Sequence, residues 1–141
     1  MRKITSIVVH CTDSADSIDV GYREINEWHR QNGWLSPSGI SCGYHYIIRR
    51  DGRSEKGRPD EEMGAHVKGN NSHSLGVVWV GKKTMDPRQK DTLLVLLRGL
   101  MHKYSIPLEK VYGHKELDPL KTCPNIDMDW VRAELLFTKS K

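Results

Sequence analysis

The sequence predicts a single α/β domain with a central mixed β-sheet flanked by about three helices. Three observations predict it. The 141 residues match one domain of ordinary size. Short β-branched runs alternate with helical periodicity from end to end. The composition, 37% hydrophobic and 28% charged with a mean hydropathy of −0.61, suits a globular core and argues against a membrane protein or wholesale disorder.

Ile4 to Val9 is a β-branched run ending at His10 and reads as a buried strand. Asp19 is the expected N-cap of a first helix carrying Tyr22, Ile25 and Trp28 on one face, stopped by Gly33. Leu35 to Gly43 reads as a long loop. Tyr44 to Arg49 forms a second strand, and Arg50-Asp51-Gly52 turns it into a hairpin. Leu75 to Val80 is another buried strand. Leu93, Leu96, Leu97, Leu100, Met101 and Tyr104 mark the clearest helix, with Pro87 in its first turn. Val111 and Tyr112 form a short strand running into His114. Asp127 caps a last helix that turns Met128, Val131 and Leu135 inward. The predicted order is β-α-β-β-β-α-β-α.

Twenty-two basic against eighteen acidic residues give a net charge of +4. That favours an anionic partner without choosing one. The Lys and Arg residues are scattered, and no nucleic-acid motif interleaves them with stacking aromatics, so nucleic acid is not the expected partner. The apolar start, Ile7 to Val9, is too short for a signal peptide, and no run approaches a membrane span. The expectation is a monomer made in the cytoplasm. Three cysteines are a poor disulfide framework, so free thiols are expected, with a Cys11–Cys42 bridge as the lesser alternative.

Seven histidines and three cysteines form the pool for chemistry. His10 and His114 each end a predicted strand, at the rim of the sheet where sites form. Cys123 follows across a loop that can fold back. Two imidazoles and a thiolate make a three-ligand zinc set with one position left for water. Taken alone, the same residues fit hydrogen-bonded histidines and a buried thiol better than a metal site.

Five strings alter that balance: VVHCTDS at 8–14, REINEWHRQNGW at 23–34, GYHYIIRRDG at 43–52, EKGRPDEEMGAHVKGNNSHSLGVVWVG at 55–81 and GHKELDPLKTCPN at 113–125. Together they resemble the type 2 N-acetylmuramoyl-L-alanine amidases, the family of phage amidase lysozymes and peptidoglycan recognition proteins. The likeness runs in order over nearly the whole chain, from about Ile7 to Trp130, and the expected amidase domain is 1–141. It implies a zinc enzyme of phage or prophage type that cuts the amide between N-acetylmuramic acid and L-alanine of peptidoglycan. Zinc would sit on His10, His114 and Cys123.

Tyr44, in G-Y-H, and Lys121, two residues before the ligand Cys, would be catalytic. Read as residues alone, Tyr44 also fits a packed strand aromatic and Lys121 a solvated surface lysine. His66 and Asn71 fall in a matching segment near the cleft and are expected substrate contacts, with a structural loop as the alternative. His45 is expected to pack. His29, His73 and His102 are expected at the surface, and Trp28 and Trp34 in the core or groove wall. Cys11 should point away from the metal face. No acidic residue in these strings is an obvious base, though Glu116 lies close in sequence. The resemblance places the action on cell wall after release, or on cytosolic muropeptides. A wall-binding module without turnover is the competing reading; such members lack the zinc Cys, which is present here.

Overall fold

The computed structural model describes residues 2–138, with no account of the side chains of residues 137 and 138. Met1 and residues 139–141, at the two ends of the expected 1–141 domain, lie outside the described residues. Five strands form one sheet in the order β3-β2-β4-β1-β5. They are β1 (Ser6–Cys11), β2 (Tyr46–Ile48), β3 (Ser54–Lys56), β4 (Ser74–Trp79) and β5 (Val111–Gly113). β1 runs parallel to β4 and β5, and β2 parallel to β4. β3 pairs antiparallel with β2, so the sheet is mixed and the predicted hairpin is present. β1 and β4 are buried along their whole length, as central strands covered on both faces.

The helices are α1 (Tyr22–Arg30), α2 (Pro87–Tyr104), α3 (His114–Leu117) and α4 (Met128–Thr138). The one-turn α3 is additional to the three expected. One face of the sheet packs Ile7, Val9, Val77 and Trp79 against Leu93, Leu97 and Leu100 of α2 and Val131 and Leu135 of α4. α2 is capped by Asp86, whose carboxylate accepts from the Arg88 N–H, and ends at Ser105 in the left-handed region. The other face packs Ile47, Val78 and Val80 against Ile25 of α1 and Cys42.

Three local expectations need correction. Asp19 does not cap α1; it pairs with Arg49 at 3.0 Å, and the helix starts after Gly21, whose N–H is held by Glu24 Oε1. The inner face of α1 is mixed, with His29 and Asn26 beside Ile25 in place of Trp28. Trp28 is exposed, while His29 is buried, not at the surface, and accepts from the Gly43 N–H at 2.7 Å. Asn26 Oδ1 accepts from the Ser41 and Cys42 N–H groups, so α1 ties down the long loop. The second strand covers only Tyr46–Ile48, and ahead of it the His45 and Tyr44 carbonyls accept from the Gly57 and Arg58 N–H groups.

His45 packs as expected and is fully buried, with Nδ1 accepting from the Gly76 N–H and Nε2 facing the Glu62 carbonyl. Gln89 is also fully buried. Its amide donates to the Ile48 and Val80 carbonyls and accepts from the Asp86 N–H and Arg50, fastening α2 to two strands. Gln89→Leu keeps the volume but strands those groups, and should cost about 2–4 kcal/mol in denaturant unfolding.

Burial pushes His29 and His45 down to about 4. Between that value and the ordinary 6.5, the unfolded chain binds more protons than the native one. Stability should therefore fall as pH drops through this window, by about 2 kcal/mol per histidine between pH 7 and pH 5. Denaturant midpoints measured across that range check it, with chelator present throughout so that metal loss does not contribute.

Candidate metal centre

Parallel pairing decides where the site forms. Val9 lies opposite Gly113, so β1 and β5 deliver His10 and His114 side by side, with ring centroids 4.6 Å apart. His114 opens α3, whose first turn is held by Glu116 Oε1 accepting from the Gly113 N–H. The chain after α3 folds back over the end of β1. Trp79 Nε1 donates to the Pro124 carbonyl at 2.8 Å, and the Lys115 N–H to the Cys123 carbonyl at 2.7 Å. These bonds set Cys123 Sγ against the Cys11 backbone N–H at 2.8 Å. One ligand atom each from His10, His114 and Cys123 lie within 4.8 Å of one another.

His10 is 1% exposed, whereas His114 and Cys123 are half-buried and open to a cleft of about 710 Å³. Burial, reinforced by His66 and His114, holds the His10 imidazole well below its usual value. Burial and the Lys121 charge lower His114, against Asp118. Both rings are therefore neutral, the form that ligates metal. Contact with the Cys11 thiol, then burial, raises the Cys123 thiol far above the usual cysteine range. A divalent cation reverses that by supplying the missing positive charge, and the Cys11 N–H already points at the sulfur. Two neutral imidazoles and one thiol open to a cleft fit zinc. Cys11 belongs to the buried cluster below α2 and α4, yet its thiol meets that of Cys123 and it also lines the cleft, so it is not turned fully away from the metal face as alternation predicts; all three cysteines are free.

Tyr44 lies in the cleft beside His10 and His29, at centroid distances of 5.1 and 5.2 Å. Burial foremost, then the nearby thiols, push its phenol far up, so it stays a hydroxyl donor. Lys121 is exposed and lines the same cleft from the α3–α4 loop. His66 and Asn71 line it too. Asn71 Oδ1 accepts from the His66 and Val67 N–H groups at 3.0 and 2.9 Å. His66 Nδ1 lies 2.8 Å from His10 Nε2.

Sequence reasoning missed several cleft residues. His29 lines the cleft, with Trp34 edge-on against it at 4.8 Å as groove wall. Its position four residues after Ile25 was the available signal. Asp13 and Asp118 put carboxylates among the cleft residues, and neither stood out in the sequence. Glu116 is occupied elsewhere, paired with Arg132 at 2.8 Å. Among the described residues no helix is long and apolar enough to cross a membrane.

The comparisons with known proteins agree with this architecture. The family model described as N-acetylmuramoyl-L-alanine amidase matches residues 1–126. The endolysin of Enterobacteria phage K11 is 37% identical over 99% of this chain and 93% of its own length. The solved amidase LysC from Clostridium intestinale URNW superposes with a TM-score of 0.83 at 30% identity, covering 96% of this chain and 87% of that one. Drosophila peptidoglycan recognition protein SD shares the fold, with a TM-score of 0.72 at 19% identity over 88% of this chain and 76% of its own. With the family model matching most of its length, the chain belongs to the N-acetylmuramoyl-L-alanine amidase family, with phage endolysins among its relatives.

Proposed function

We propose that this amidase-family chain is a zinc-dependent hydrolase of the amide bond between N-acetylmuramic acid and L-alanine in peptidoglycan, of phage or prophage type. The observation that carries the reading is the convergence of His10, His114 and Cys123 donors within 4.8 Å in an open cleft. These three hold the metal. When bound, zinc supplies a Lewis acid and a water acidified towards neutrality.

The remaining chemistry belongs to the chain's own side chains. Hydrolysis builds negative charge on the scissile carbonyl oxygen, and donors aimed at that oxygen lower the barrier. Tyr44 is held as a neutral hydroxyl inside the cleft and donates there. Lys121 brings an ammonium among the cleft residues to the same charge. His66 and Asn71 form the wall the substrate lies against, and Asn71 fixes that wall through its two backbone bonds. The protein works as a monomer on cell wall after release, or on muropeptides in the cytosol. The binding-module reading is the weaker one, because a wall-binding role needs no thiol beside the two histidines.

Mass spectrometry of muropeptide digests tests the bond. The expected products are lactyl-bearing glycan and free stem peptide with new N-terminal alanine; wall that pellets the protein without releasing amine would sink the hydrolase reading. Cys123→Ala should lose stoichiometric zinc by elemental analysis and all measurable turnover, with the circular dichroism unchanged. Full turnover by chelated wild-type protein would remove zinc from the mechanism. Lys121→Ala and Tyr44→Phe should each retain zinc while kcat falls by about 10²–10³. A wild-type rate in Lys121→Ala would return that side chain to the solvated surface.

A further inference from the structure

Beside the three ligands runs a hydrogen-bonded chain of uncharged groups whose direction is fixed at one end. Ser74 Oγ lies 2.6 Å from the Asn70 carbonyl oxygen. A carbonyl accepts and cannot donate, so the hydroxyl hydrogen of Ser74 is committed there. His66 Nε2 lies 3.2 Å from the same Oγ. With its hydrogen spent, the oxygen accepts, and Nε2 of His66 carries the proton. A neutral imidazole has one N–H, so Nδ1 of His66 is bare. That bare nitrogen faces His10 Nε2 at 2.8 Å, and His10 must be the donor.

We propose that Ser74 and His66 fix His10 in the Nε2–H tautomer and leave its Nδ1 lone pair for the metal. His66 is thus a positioning residue acting through His10. The inference rests on the zinc reading for its purpose, although the tautomer itself is a property of the metal-free protein.

The surroundings are built for this role. A Cβ on Gly76 would stand 2.7 Å from His66 Cγ, and one on Gly64 2.7 Å from His66 Cδ2. The ring therefore occupies a slot that two glycines leave open. Asn71 fixes the backbone at His66 and Val67. His10 and His66 are 1% and 9% exposed, and burial keeps both rings uncharged. Both ring nitrogens of His66 are engaged within the protein, so its polar atoms serve His10 in place of a ligand in the cleft. A ligand imidazole oriented through its second nitrogen binds metal more tightly, because neither its tautomer nor its rotation is left to be fixed on binding.

Long-range ¹H–¹⁵N correlation spectra of ¹⁵N-histidine-labelled protein test the tautomers without any mutation. In the metal-free protein His10 and His66 should both appear as Nε2–H tautomers. Added zinc should then shift His10 Nδ1 and leave its Nε2–H in place. An Nδ1–H tautomer at either residue, or zinc shifting His10 Nε2, would overturn the proposal. Both tautomers as stated with zinc moving no ring nitrogen would instead overturn the zinc reading. In chelator competition, folded His66→Ala should bind zinc about 10–100-fold more weakly. His66→Asn, with an amide oxygen near the lost Nδ1, should recover most of that affinity. Wild-type affinity in His66→Ala counts against the relay.

Discussion

Three imidazoles packed edge to face at the end of β1 can coexist only if they carry no charge. His66 and His114 stand within 4.9 and 4.6 Å of His10, centroid to centroid. A proton on His10 or His66 would be buried beside two potential cations, and only the half-buried His114 has a carboxylate, Asp118, acting on it. Every other property of the site follows from keeping these rings neutral. Neutral rings offer lone pairs to a metal, whereas charged rings would repel it. Neutral rings also hydrogen-bond with a definite direction, which is how a serine two positions away along the chain of bonds can determine which nitrogen of His10 is free.

The fold meets this requirement with backbone rather than with charge. β1 is central and paired on both edges, so its end cannot shift relative to β4 or β5. His10 inherits that rigidity directly. His114 inherits it one residue beyond β5, and Cys123 through the Trp79 indole and the Lys115 amide, which hold the returning loop. Three candidate ligands from distant parts of the chain therefore meet at the carboxyl ends of the parallel strands, where ligand-binding crevices form.

How much of this is legible in the sequence depends on what signal each residue leaves. β1, β4 and α2 are read correctly because their burial is dense and periodic: Ser6 to Cys11 is buried throughout, and Leu93, Leu97 and Leu100 keep helical spacing. α1 misleads because Trp28 looks apolar and Asn26 and His29 look polar, yet the polar pair faces inward to bind loop amides. Asp19 is a good cap by residue type and is instead claimed by Arg49 from another element. His10, His114 and Cys123 can be nominated from strand ends and residue type, but spacing alone leaves them open; the ordered family strings join them. His66 is legible only as an expected substrate contact, and its bond to Ser74 leaves no such trace. The two are eight residues apart across a 3-10 turn, and their relation exists only through the geometry of β4 and the loop before it.

The same contrast explains how the cleft stays open. α2 and α4 close one face of the sheet with apolar packing, while α1 covers only part of the other. The rest is walled by the segments around 36–45 and 57–73, which have little core of their own. They are held by polar side chains bonded to backbone: Asn26 and His29 to 41–43, Arg58 to the Ser41, Cys42 and Met63 carbonyls, and Asn71 to 66–67. Such bonds satisfy the loop's backbone groups without filling the space beside it. An apolar plug would fill the volume that the cleft leaves open. Tying walls down from behind leaves a cleft of about 710 Å³ with fixed sides, and His114 and Cys123 remain open to it.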